Sequence, residues 1–184
     1  MEPIKVVVHG VLGKMGQEVL RAVAADEGMR PIGASDVAAT EGDLALPDGS
    51  GTVPTSSNLS HVLPGADVVV DFTNSEGASN VLRIASAAKV NVVIGSTGLT
   101  QHQMSEAKRL AQQHSIGIVI APNFAMGAVL MIHLVKQASR FFEYADLTEV
   151  HHEEKIDAPS GTAMAIAEAA ANGRGKHFTA PAVE

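Results

Sequence analysis

The sequence predicts an α/β protein: a doubly wound, mainly parallel sheet followed by an α+β substrate or oligomerisation domain. Three observations predict it. Short β-branched runs alternate with longer Ala- and Leu-rich segments of helical period, as when strands feed crossover helices. A glycine string closes the first strand and opens the first helix. The βα rhythm then breaks at Pro122-Asn123, which predicts two domains, residues 1–124 and 125–184.

Each element has its own warrant. Ile4 to Val8 reads as the first strand and Lys14 to Ala25 as the helix after the glycine turn. Pro31 to Ser35 is the second strand, and Val37 to Leu59, rich in Gly, Pro, Ser and Thr, is expected to be an irregular excursion. Val68 to Phe72 is almost continuously apolar, as a strand covered on both faces must be. A helix over Glu76 to Ala88 leads to a strand at Val92 to Ile94. Thr100 and Gln103 form a capping box for a helix to about His114, and Ile116 to Ala121 closes the set. Beyond the boundary the pattern predicts an apolar helix (Ala128 to Phe142), a strand (Leu147 to Glu154), a polar loop and an Ala-rich helix from Thr162.

Composition excludes several functions. A net charge of -7 argues against nucleic acid or anionic membrane as partner, and aromatic residues, at 3%, are too scarce for base-stacking platforms. With no Cys, disulfides, thiolate metal sites and Cys nucleophiles are ruled out. Met1-Glu2-Pro3-Ile4-Lys5 runs straight into a strand, without the pattern of a signal peptide. No apolar run approaches the roughly 20 residues of a membrane span. A cytoplasmic protein is expected.

Gly10-Val11-Leu12-Gly13-Lys14-Met15-Gly16 stands between the first strand and helix. Glycines there permit a tight turn and close approach to a pyrophosphate seated on the helix N-terminus. This is the arrangement of a Rossmann-type dinucleotide-binding domain; a plain strand-to-helix turn is the bland alternative. Asp36, ending the second strand, is placed to accept hydrogen bonds from an adenosine ribose. Val37 follows it where an Arg would welcome a 2′-phosphate, so NADH is favoured over NADPH, with Lys14 or Arg30 leaving dual use open. Gly95-Ser96-Thr97-Gly98 and Ala121-Pro122-Asn123-Phe124 end strands on the same sheet edge and are expected to line the nicotinamide half, with Asn123 available to the carboxamide.

The densest chemistry lies in Glu149-Val150-His151-His152-Glu153-Glu154-Lys155-Ile156-Asp157-Ala158-Pro159-Ser160-Gly161-Thr162. On a strand, His151, Glu153 and Lys155 share one face and His152 the other, a spacing that argues against a metal site. Ser160-Gly161-Thr162 opens a helix whose free N–H groups, with His152 and Lys155, suit a carboxylate. A histidine titrates near neutrality, so His151 suits a proton donor; a solvated strand end before a capped helix is the bland alternative. Ser160 lacks a nucleophile-elbow context, and Tyr144 lacks the Lys four residues on that a short-chain dehydrogenase needs.

Together, the glycine string ending in Lys-Met-Gly, Asp71-Phe72-Thr73, Gly95-Ser96-Thr97-Gly98, Pro122-Asn123-Phe124 and His151-His152-x-x-Lys155-x-Asp157-Ala158-Pro159-Ser160-Gly161-Thr162-Ala163 closely resemble the 4-hydroxy-tetrahydrodipicolinate (dihydrodipicolinate) reductase family, in order over essentially the whole chain. The resemblance implies reduction by NADH or NADPH of a small cyclic dicarboxylate, with loss of water, in lysine and diaminopimelate biosynthesis. It implies that Gly10, Val11, Leu12, Gly13, Lys14, Met15, Asp36, Gly95, Ser96, Thr97, Ala121, Pro122, Asn123 and Phe124 bind the dinucleotide. His151 and Lys155 are implied as proton donors, and His152, Gly161 and Thr162 as holders of the substrate carboxylates. A homotetramer formed through the second domain is implied, and no metal. Family members continue for several dozen residues past Glu184, so the second domain is expected to be C-terminally truncated, whether as a fragment or a short product. The rivals are another dehydrogenase on this scaffold and a non-catalytic NAD-binding redox sensor.

Overall fold

Ile4–His9 forms the first strand, β1, in which Val6, Val7 and Val8 are all but fully buried. Helix α1 (Lys14–Ala25) packs back on it through Gly16, Leu20 and Val23, one helical face. Strand β2 (Met29–Ser35) runs parallel to β1, with a register slip opposite Pro31 and Gly33; Pro31 offers no N–H to the ladder, and the slip absorbs it. The computed structural model describes residues 2–121, 123–151, 153, 158–176 and 178, which divide into two compact units, Met1–Ala121 and Pro122–Glu184.

The stretch expected to be irregular is ordered. It forms β3 (Gly42–Ala45), β4 (Thr52–Ser56) and a single-turn helix α2 (Leu59–Val62). β3 and β4 pair antiparallel, and β4 joins the edge of β2 through Ala34–Thr55 and Ser35–Ser56. An existing sheet edge supplies the partner that this Gly- and Pro-rich composition does not announce. The connecting turn uses Gly49 at φ +74°. Ser50 donates to Asp48 from its backbone and hydroxyl, which holds the Asp48 carboxyl below its ordinary range.

The rest alternates as expected: β5 (Val68–Asp71), α3 (Ser75–Ala87), β6 (Asn91–Ile94), α4 (Gln101–His114) and β7 (Ile118–Ile120). Thr100 and Gln103 form the capping box. The strand order is β3-β4-β2-β1-β5-β6-β7, parallel except for the β3–β4 pair. Val7, Val69, Leu82 and Ile94 fill one face of the sheet and Val6, Val8, Leu20 and Ala34 the other; each buried Val, Leu or Ile contributes about 1.5–3 kcal/mol. The order reverses between β1 and β5, so the crevice at their C-terminal ends is the topological switch point.

The second unit contains α5 (Met126–Ala138), a 3-10 turn (Ser139–Phe141) and α6 (Gly161–Arg174). The two helices meet closely at Gly173, where any Cβ would overlap the Lys136 carbonyl and Ser139 Oγ. The strand expected over Leu147 to Glu154 does not form: residues 147–151 and 153 have no ladder, and 152 and 154 lie outside the described residues. A strand exists only by pairing, and the described residues of this unit offer no other strand. The alternation argument that put His151 and Glu153 on one face therefore loses its basis. None of the helices among the described residues is long and apolar enough to cross a membrane.

Candidate functional site

The first glycine turn is built for close approach. Gly10 sits at φ +82°, and a Cβ there would meet Thr73 Cγ2 at 2.8 Å and the Phe72 carbonyl oxygen at 3.0 Å. A Cβ on Gly16 would overlap the Gly10 carbonyl, so the third glycine lets α1 lie directly on the turn. No side chain caps α1 and no acid occupies its first turn, which leaves a helix N-terminus ready for an anion.

Asp36 ends this edge of the site. Its Oδ2 accepts from Leu12 N at 3.0 Å and its Oδ1 from Ala38 N at 3.1 Å, so it braces the glycine turn. Val37 beside it is 86% exposed and brings no positive charge. Ser35, one residue earlier, is fully buried, and its hydroxyl has no partner among the described residues.

The turn after β6 is tied in from below. Ser96 Oγ donates to Asp71 Oδ2 at 2.8 Å, so its side chain faces inward while Thr97 is exposed. Asp71 Oδ1 also receives Thr73 Oγ1 at 2.8 Å and His9 Nδ1 at 2.7 Å. Gly95 lies against the Phe72 ring, which any Cβ there would overlap. Asp71 stood in the Asp71-Phe72-Thr73 motif with no role attached, and His9 was not singled out, because a lone His ending an apolar strand carries no motif; the parallel register that sets His9 beside Asp71 brings them together.

In the second unit, Asn123 Nδ2 donates to Thr162 Oγ1 at 2.8 Å and its Oδ1 accepts from Ala125 N at 2.7 Å. The residue expected at the nicotinamide thus meets one expected at the substrate. A cavity of about 640 Å³ has Met131, Leu147, Glu149, His151, Ser160 and Thr162 in its lining, within the size range of small-molecule sites. Glu149 stood in the dense segment without a role: its carboxylate accepts from Ser160 N at 2.9 Å and Ser160 Oγ at 2.5 Å, and lies 4.0 Å from His151 Nδ1. Ser160 Oγ in turn serves Ala163 N, and among the described residues the N–H groups of Gly161 and Thr162 remain unbonded. Pro122, His152 and Lys155 lie outside the described residues. Among the described residues no three His, Asp or Glu are grouped to hold a metal.

Comparison with known proteins agrees with this geometry. Residues 4–124 match the family described as dihydrodipicolinate reductase, N-terminus, and residues 127–182 the one described as dihydrodipicolinate reductase, C-terminus. The chain belongs to the dihydrodipicolinate reductase family. It is 50% identical to the 4-hydroxy-tetrahydrodipicolinate reductase of Dehalococcoides mccartyi (strain ATCC BAA-2266 / KCTC 15142 / 195), over 100% of this chain and 71% of that one. Identity to the 4-hydroxy-tetrahydrodipicolinate reductase of Synechococcus elongatus is 38%, over 98% of this chain and 70% of the relative. The crystal structure of dipicolinate-bound dihydrodipicolinate reductase from Paenisporosarcina sp. TG-14 superposes with a TM-score of 0.79 at 34% identity, covering 99% of this chain and 71% of that one. Dihydrodipicolinate reductases are NAD(P)H-dependent oxidoreductases, and the nucleotide-binding part of the family matches the unit that carries the glycine cradle.

Proposed function

We propose that the two units divide one reaction: residues 1–124 bind the dinucleotide and residues 125–184 bind the substrate and supply the proton. The reaction is the family's, NAD(P)H-dependent reduction of 4-hydroxy-tetrahydrodipicolinate to tetrahydrodipicolinate with loss of water, in lysine and diaminopimelate biosynthesis. The observation that carries the cofactor part is the tight turn of Gly10, Gly13 and Gly16, which lays the uncapped start of α1 directly on the end of β1, where a pyrophosphate would sit. Gly10 to Met15 would hold the pyrophosphate, Asp36 the adenosine ribose, and Gly95 to Thr97 with Ala121 to Phe124 the nicotinamide, which supplies the hydride. Asp36, with exposed Val37 and no cation beside it, favours NADH over NADPH. The ratio of kcat/KM for the two cofactors measures that preference.

The substrate is a small cyclic dicarboxylate; the Paenisporosarcina relative was solved with dipicolinate. The unbonded N–H groups of Gly161 and Thr162, at the start of α6, would hold one carboxylate, and His152 is the third residue assigned to the substrate. His151, in the lining of the cavity, holds the proton that the reduced ring takes up, and Lys155 is the second donor. Replacing His151 or Lys155 by Ala is expected to lower kcat about 10²-fold or more while NADH binding persists, as for loss of a general acid; unchanged turnover in both variants would sink these roles. The apolar surface of α5, with Leu130 and Leu134 both 55% exposed, supports assembly as a homotetramer through this unit, which light scattering measures directly. The protein acts in the cytoplasm, on a soluble metabolite.

A further inference from the structure

Asp71 is fully buried at the end of β5, on the same strand face as Val69. A carboxylate removed from water is costly unless it is paired and hydrogen-bonded, and replacing such a group by a well-packed apolar one is often neutral or stabilising. A valine or leucine would therefore serve the core here at least as well. What an apolar residue could not do is join three strand ends at once. Asp71 Oδ1 receives His9 Nδ1, from the end of β1, and Thr73 Oγ1, while Oδ2 receives Ser96 Oγ, from the turn after β6. His9 directly precedes Gly10, and Thr73 abuts the Gly10 Cα. Ser96 sits between Gly95 and exposed Thr97. The three arms thus end at the turns assigned to the dinucleotide, yet Asp71 has no exposed surface with which to touch a ligand.

We propose that Asp71, through His9 and Ser96, is a positioning residue for the dinucleotide: it sets the spacing between the first glycine turn and the turn after β6. This rests on the reading that those turns bind the cofactor. Preorganised donors bind a charged ligand without reordering on contact, so releasing one arm weakens the cofactor more than it weakens the fold.

The experiment is NADH titration by calorimetry on the full chain, with Tm recorded in parallel. Ser96→Ala should weaken NADH binding about tenfold, as for loss of one hydrogen bond to a charged group, and leave the KM for the dicarboxylate unchanged. Ser96→Thr, which keeps the hydroxyl, should restore binding to within about twofold. Asp71→Asn combined with Ser96→Ala should bind no more weakly than the more affected single variant, since residues acting through one contact are not additive. Wild-type affinity in Ser96→Ala, failure of Ser96→Thr to rescue, or additive losses each overturn the proposal. A role confined to the fold would lower Tm and leave NADH affinity alone. Thr97→Arg separates the two readings, because it blocks the turn from outside without touching Asp71. If Thr97→Arg abolishes NADH binding and Ser96→Ala is silent, only the positioning role falls; if Thr97→Arg binds normally, the cofactor assignment falls and the positioning role with it.

Discussion

Helices α3 and α5 are both 13 residues long, and they meet opposite fates. In α3, Ala78, Val81, Leu82 and Ala85 are fully buried against the sheet. In α5, the more apolar in sequence, no residue is buried, and Met126, Val129, Leu130 and Leu134 are each at least half exposed. The first unit closes its own core because every strand presents two faces and helices cover both. The second has helices but, among the described residues, no sheet for them to lie on. Local sequence makes a helix; only a partner surface makes a core.

The sharpest test of that contrast is a pair of truncations. Leu82→Ala should cost about 2–5 kcal/mol, the range for an enclosed leucine, read as a fall in the urea midpoint. In the dissociated chain, Leu134→Ala, at a side chain 55% exposed, should cost less than about 1 kcal/mol. Equal losses would show that α5 is covered in solution. A smaller effect is expected at Ser160, which ties the start of α6 to Glu149. Ser160→Ala removes the cap on Ala163 and the hydroxyl partner of Glu149, and should cost about 1 kcal/mol. Hydrogen exchange should then quicken in the first turn of α6 and not in the first unit. The least effect belongs to the surface of α4, where Arg109, hydrogen-bonded to Glu106, holds that carboxyl below its ordinary 4.5. A lowered carboxyl contributes its stability above the unfolded value and loses it as pH falls through the folded one. Arg109→Ala should accordingly shift Tm by about 1 °C or less at neutral pH, and the difference should fade as acid protonates Glu106.

The site divides along the same line. The glycine turn and Asp36 were legible because their chemistry is local: three glycines and an acid at fixed spacing between periodic elements. The Asp71 cluster was not, since His9, Asp71 and Ser96 are separated by 62 and 25 residues along the chain. The contact of Glu149 with Ser160 was missed for a related reason. A helix start with free N–H groups reads as open to a ligand, but the chain turns its own carboxylate onto Ser160, and Gly161 and Thr162 are what it leaves.

By itself the sequence determined the long helices, the parallel strands from Val68 onward, the glycine turn and the family, because periodicity, capping and glycine spacing act within a few residues. Only the tertiary structure decided that residues 42–56 form an added edge hairpin, that residues 147–151 and 153 do not form a strand, and that Asp71 gathers three strand ends. A strand is made by the edge beside it, and a buried charge by the donors that surround it. Neither partner is written next to the residue that needs it.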